Sequence, residues 1–206
     1  MIRREPDSDS DSDSESSSSS DPIPAPIPPH RPSPTELIIR TEFERIQKSF
    51  EFVKFKLYKN RFYDWDITIR PTPTTKFGPI LEKAMKDYGI DGLHIRAIFP
   101  PDYPYQNVFL CLWYPKIQIR HLYRGDMDIG IICMKINSKS IWLLDIGVEY
   151  VLIQYISYIN DNGMGVFPPK EGKYDMEISR KYLVERPFMF ENYYVPNWLK
   201  EVEFSS

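Results

Sequence analysis

Cysteine and histidine are scarce in this chain: Cys111 and Cys133, with His30, His94 and His121, are all that 206 residues contain. Two cysteines do not build a disulfide framework, and with no CxxC pair and no ligand-spaced histidines a zinc site has no support. No metal or cofactor is expected, and a reducing compartment suits the free thiols. Long apolar runs are also missing. No stretch approaches the roughly 20 apolar residues of a membrane span. Met1-Ile2-Arg3-Arg4 runs into Asp and Ser without the apolar core of a signal peptide. Nor is there a basic excess. The formal net charge of −3 divides into −4 over residues 1–35 and +1 over the rest. A near-neutral body argues against a nucleic-acid partner, which needs a basic face. The reading is a soluble intracellular protein with no membrane partner.

What is present falls into two parts. Residues 1–34 are expected to form a disordered acidic tail and linker. Asp and Ser alternate from Asp7 to Ser14, Glu15 and Ser16–Ser20 follow, and seven prolines between Pro22 and Pro34 stiffen the remainder. Such a segment buries too little apolar surface to offset its ordering entropy. The plain reading is a solvated tail on a polyproline-like spacer. The alternative is a phosphoacceptor tract, because serines flanked by acids suit acid-directed kinases. Residues 35–206 are expected to be one folded domain, and their apolar and aromatic content is enough for a real core.

Periodicity predicts the elements of that domain. Thr35 is placed to cap a helix, with Ile39, Phe43, Ile46 and Phe50 along one face. The period then changes to two. Val53, Phe55 and Leu57 alternate with lysines, and Tyr63, Trp65, Ile67 and Ile69 alternate with Asp64, Asp66 and Thr68. A short helix is expected over 80–88, before Gly89. A third strand follows through Leu93, Ile95, Ala97 and Phe99, stopped by Pro100-Pro101. A fourth spans 108–114. After a long loop, Asp145 is placed to cap a helix whose apolar face is Val148, Val151, Leu152, Tyr155, Ile156 and Ile159. Asn160-Asp161-Asn162-Gly163 is read as its stop. A last helix is expected around 174–185. The architecture is α+β: an N-terminal helix, a four-stranded antiparallel meander, a loop carrying Cys133, then C-terminal helices.

The two cysteines differ in setting. Cys111 sits in Phe109-Leu110-Cys111-Leu112-Trp113, where a free cysteine is a small core residue. Cys133 sits at a loop edge in Gly130-Ile131-Ile132-Cys133-Met134 and is the candidate nucleophile. A papain-like Cys–His arrangement does not suit it, because no helix begins there. His30 in the linker and His94 in a strand are weak candidates for chemistry.

Three stretches together resemble the ubiquitin-conjugating superfamily, and within it the Q family. They are Tyr63-Asp64-Trp65 with its strand, Phe99-Pro100-Pro101-Asp102-Tyr103-Pro104, and Gly130–Met134 followed by Trp142, Val148-Glu149 and Ile153-Gln154-Tyr155-Ile156. The likeness covers about residues 40–197. It implies that Cys133 takes ubiquitin from an activating enzyme, within an ATP-dependent pathway, and holds it as a thioester. A substrate lysine, positioned by a ligase, then attacks. Related proteins carry His-Pro-Asn before the cysteine, whereas the Q family lacks it, and here His121 has no Pro-Asn after it. The oxyanion donor implied is His121, Asn137 or backbone N–H groups around Cys133. Asp161 corresponds to an acidic residue that orients or deprotonates the incoming lysine; the alternative is an Asx turn ending the helix. Trp142 would pin the loop after the cysteine. Arg40, Glu44, Arg45 and Lys48 on the first helix would meet partner enzymes, or simply face solvent. Arg124, Asp126 and Asp128 lengthen the loop before Cys133. The rival reading is a non-catalytic ubiquitin-conjugating-like binding module; a third is a scaffold whose acidic tail is the working part. The abundance of Ile, Tyr and Lys suggests an AT-rich genome such as that of a large DNA virus, which would place the protein in host cytoplasm or nucleus.

Overall fold

The computed structural model describes residues 32–120, 130, 147–175, 177–179 and 181. Helix α1 (Pro34–Ile46) begins one residue before Thr35, the expected cap. Ser33 caps it instead: its Oγ accepts from the Glu36 N–H at 3.1 Å. Pro34 at the first helical position needs no N–H partner, so Ser-Pro-x-Glu is the better start. Ser33 Oγ also lies 2.9 Å from the Tyr63 hydroxyl, which ties the helix start to the sheet. Ile39 and Ile46 are buried as the spacing required. Phe50 falls beyond the helix end and packs against Phe55, ring centroids 5.8 Å apart.

Four strands form one antiparallel sheet in the order β1 (Val53–Tyr58), β2 (Arg61–Ile69), β3 (Leu93–Ile98), β4 (Phe109–Tyr114). The register pairs Phe55 with Ile67 and Ile67 with Ile95, so the inward residues of neighbouring strands stack. Trp65 is fully buried at their centre, in ring contact with Phe43, Phe55 and Phe99. Helix α2 (Gly78–Tyr88) joins β2 to β3, and Gly89 ends it at φ 66°, a conformation that favours glycine. Helix α3 (Gly147–Asn162) lays Val148, Val151, Leu152, Tyr155 and Ile159 on the core.

Two features depart from the simple meander. The outer face of the sheet is not merely solvated, because Asp64 and Arg96 are both buried there. Arg96 Nε donates to Asp64 Oδ1 at 2.9 Å, and a second nitrogen, Nη2, reaches Oδ2. A two-stranded ribbon was also not anticipated: β5 (Ile117–Ile119) pairs antiparallel with β6 (Gly163–Val166). Gly163 therefore opens a strand directly after α3. A Cβ there would come within 2.4 Å of Phe77, so the close approach of α2 requires glycine. Asp161 consequently lies within the last turn of α3, not in a separate Asx turn, and it is Asn162 whose side-chain amide bonds back, to Tyr158 O at 2.9 Å. After a 3-10 turn at Pro169–Glu171, helical residues 177–179 and 181 match part of the expected last helix. Among the described residues no helix is long and apolar enough to cross a membrane.

Candidate functional site

Cys133, His121 and Asn137, with Trp142 and Asp145, lie outside the described residues. The structure does describe the points that hold the flanking chain. The first is Arg120, the residue before His121. Its N–H donates to Asn162 O at 2.8 Å, at the C-terminal end of α3 and next to Asp161. The sequence thus leads into the His121 stretch from beside Asp161, whose side chain is exposed. Asp161 stands about 9 Å along the helix from Tyr155, at about 1.5 Å per residue.

The second point is Gly130. It is buried against the edge of β4 and accepts from the Leu112 N–H at 2.6 Å. The Tyr155 hydroxyl reaches the same carbonyl at 3.5 Å, and the Gly130 N–H donates to Ser179 Oγ at 3.2 Å. A Cβ at this position would lie 2.0 Å from Leu112 O, so no other residue fits without displacing β4. The glycine of the Gly-x-x-Cys motif is explained by close backbone approach.

The third point is the start of α3. Gly147 has φ 61°, and a Cβ on it would lie 3.1 Å from Glu42 Oε1. Glu42, on α1, accepts from the Val148 backbone N–H and so satisfies a free donor of the helix N-terminus. Glu42 Oε2 accepts from the Tyr103 hydroxyl at 2.6 Å. Burial raises the Glu42 carboxyl above its ordinary value of 4.5; Tyr103 and Arg45 act against that rise without cancelling it, and Glu149 adds to it. Burial and then the Glu42 charge push the Tyr103 phenol up, so Tyr103 stays the protonated donor. The turn from Phe99 to Pro104 is thereby tied to the helix that follows the Cys133 segment. Its Phe99 and Tyr103 rings pack edge to face, centroids 5.0 Å apart.

Cys111 behaves as expected of a core residue. It is fully buried, its Sγ donates to Leu112 O at 3.2 Å, and burial pushes the thiol up to about 12. Such a thiol supplies almost no thiolate near neutral pH. Of the four helix-α1 residues considered for partner contact, Arg40 is engaged by Glu36 and lies 3.9 Å over the Phe62 ring, while Arg45 pairs with Glu149 at 3.0 Å. Glu44 and Lys48 are exposed. Among the described residues no three His, Cys, Asp or Glu side chains converge as a metal site.

Glu42 and Ser179 were missed in the sequence. Glu42 is one more polar position on a helix, and its Tyr103 partner is 61 residues away. Ser179 carries no motif at all.

Comparison with protein-family models and with curated proteins finds no match. Solved structures do match. A Plasmodium yoelii protein assigned as a ubiquitin conjugating enzyme superposes with a TM-score of 0.50 at 16% identity, covering 86% of this chain and 100% of the other. Human ubiquitin-conjugating enzyme E2 G1 is similar at 21% identity, 62% and 96% coverage and a TM-score of 0.44. The E2 domain of a Toxoplasma gondii ubiquitin conjugating enzyme is similar at 19%, 75% and 90%, and 0.47. The first superposition, taken with the helix–meander–helix order described above, identifies the architecture: this chain has the ubiquitin-conjugating fold.

Proposed function

We propose that the chain is a ubiquitin-conjugating enzyme of Q-like type, with Cys133 as the thioester-forming nucleophile. The observation that carries this reading is Gly130: a glycine locked on β4, three residues before Cys133 in the sequence, within the ubiquitin-conjugating fold. The carrier must be a thiolate, because a serine oxyester would be sluggish towards amines. Cys111 is unsuited to the task, being walled into the sheet.

The reaction is two acyl transfers. The Cys133 thiolate attacks the ubiquitin carbonyl held by the activating enzyme; a new carbon–sulfur bond forms and the activating enzyme's thiolate leaves. A lysine Nζ then attacks the Cys133 thioester, an amide forms, the Cys133 thiolate leaves, and the amine gives up a proton. In this reading Asp161 orients the incoming lysine or receives that proton, and the oxyanion is met by His121, Asn137 or backbone N–H groups. A ligase supplies the substrate, and exposed Glu44 and Lys48 are available to partner enzymes. Residues 1–31 are a tail outside the catalytic domain, which begins with the Ser33 cap and Pro34 of α1, and the protein works in the cytoplasm or nucleus of a host cell.

The test is loading. With activating enzyme, ATP-Mg and ubiquitin, the chain is expected to gain one ubiquitin mass that reducing agent removes. The adduct disappears in Cys133→Ala, persists in Cys111→Ala, and survives deletion of residues 1–31, which leaves the Ser33 cap of α1 in place. No adduct with a competent activating enzyme, tried also with ubiquitin-like modifiers, would overturn the reading in favour of a non-catalytic binding module.

A further inference from the structure

We propose that Ser179 is a positioning residue for the Cys133 segment, acting through the Gly130 backbone; this rests on Cys133 being the thioester carrier. The Gly130 peptide is gripped on both sides. Its carbonyl is taken by the Leu112 N–H at 2.6 Å, and its N–H is taken by Ser179 Oγ at 3.2 Å. Ser179 is fully buried, so its hydroxyl has no water to fall back on. That hydroxyl is used in both directions. It accepts from Gly130 and donates to Asp175 O at 2.7 Å. Alanine would strand the buried Gly130 N–H, whereas Asp175 O keeps the Ser179 backbone N–H at 2.9 Å. Threonine would keep both bonds.

The grip is set independently of the loop it holds. Asp175 Oδ1 accepts from the N–H groups of Glu177 and Ile178 at 2.8 and 3.0 Å, which starts the helical turn presenting Ser179. Just before it, Tyr174 is fastened to β5 and β4. Its hydroxyl meets the Ile117 N–H at 2.9 Å and Ile117 O at 3.2 Å, and its N–H donates to Trp113 O at 3.0 Å. The C-terminal segment is therefore an already anchored frame that reaches back 49 residues to Gly130. Because Gly130 has no side chain, its peptide is held by hydrogen bonds: the Leu112 N–H and the Tyr155 hydroxyl on its carbonyl, and Ser179 alone on its N–H. In this proposal they set the peptide from which the chain continues towards Cys133. The Cys133 site thus requires the C-terminal turn as well as the central fold, and transfer rate is sensitive to a hydroxyl that touches no substrate.

The experiment uses the full chain and three readouts. In Ser179→Ala, deuterium exchange at the Gly130 amide is expected to accelerate at least about tenfold, the loss of one buried hydrogen bond. Iodoacetamide labelling of Cys133, read by mass spectrometry, is expected to change by about threefold or more, while buried Cys111 stays unlabelled. The maximal rate of ubiquitin transfer from Cys133 to free lysine is expected to fall about tenfold with little change in KM, since the substrate contacts remain. Ser179→Thr restores all three. If Ser179→Ala does not fold, Ser179→Cys keeps the shape with a weak acceptor and is read the same way. Parental exchange at Gly130 in a folded Ser179→Ala or Ser179→Cys protein overturns the proposal. So does faster exchange with unchanged labelling and transfer. A parent chain that never loads ubiquitin, yet shows Ser179-dependent exchange and labelling, removes the enzyme reading and leaves the Ser179 contact standing.

Discussion

The chain on either side of residues 131–146 is held by opposite kinds of chemistry. At Gly130 the partners are neutral: a backbone amide, two hydroxyls and the steric wall of Leu112 O. At Val148 the partner is a carboxylate, Glu42, which is shared with the Tyr103 hydroxyl and faces Arg45 and Glu149. The first anchor works by shape. It admits one residue type and is indifferent to pH. The second sets a titratable carboxyl at a helix N-terminus, where burial outweighs the groups that favour its charge, so its strength depends on the protonation of one half-buried acid. Two anchors of different origin respond to different perturbations, and that separates their contributions.

Gly130→Ala is the harshest way to break the comparison. With the new Cβ 2.0 Å from Leu112 O, β4 and Gly130 must separate, and the Leu112–Gly130 hydrogen bond goes with them. Overpacking and the lost bond together predict a loss of about 3 kcal/mol or more in denaturant unfolding, with ubiquitin loading lost. A wild-type midpoint in this variant would show that shape is not what holds this end. Glu42→Ala comes next. It takes the carboxylate acceptor from the Tyr103 hydroxyl and leaves the Val148 N–H only the Tyr103 oxygen, at about 1.5–3 kcal/mol for a bond to a charged group. Tyr103→Phe removes the donor to Glu42 and the oxygen that also meets the Val148 N–H, while Glu42 keeps Val148 and Arg45; the expected loss is about 1 kcal/mol. Should Tyr103→Phe cost as much as Glu42→Ala, the hydroxyl rather than the helix N-terminus is what makes Glu42 matter.

The contrast also explains what was legible in the sequence. Val53, Phe55 and Leu57, then Trp65, Ile67 and Ile69, then Leu93, Ile95 and Ala97 are inward residues of one sheet, and a period of two reveals them without knowledge of any partner. Gly130 was visible as part of a motif, and Cys111 as a core thiol from its apolar neighbours. Whatever depends on a partner far along the chain was hidden. Asp64 reads as the polar side of an alternating strand until Arg96, 32 residues away, is brought over it. Ribbon β5–β6 joins a three-residue strand to Gly-Met-Gly-Val, too short and too glycine-rich to announce itself. Ser33 lost to Thr35 in the cap reading because Pro34 looked like the end of a linker and not the first residue of a helix. Ser179 and Glu42 are single polar residues whose meaning comes only from burial.

The finest test of the comparison is pH, because only the charged anchor should titrate. The folded-state pKa of Glu42 is raised above 4.5 chiefly by burial. A carboxyl with a raised folded pKa favours the folded state at low pH, and that advantage is lost as pH rises through the raised value. Glu42→Gln is therefore expected to differ from the parent by a constant amount below pH 4.5 and to gain on it through the window just above. A second group must be separated from it. His94, on the outer face of the sheet, is lowered by burial but raised more by Asp66 and Asp91, at 3.1 and 2.7 Å, and ends above 6.5. Its contribution is fully present below 6.5 and fades as pH climbs through the raised value, a window higher than that of Glu42. Stability measured against pH for the parent, Glu42→Gln and His94→Gln should show each substitution erasing its own window and leaving the other. The amplitudes are small, because both groups keep some contact with water. A pH response in the Glu42 window that persists in Glu42→Gln would mean that the two anchors do not differ in the way their chemistry implies.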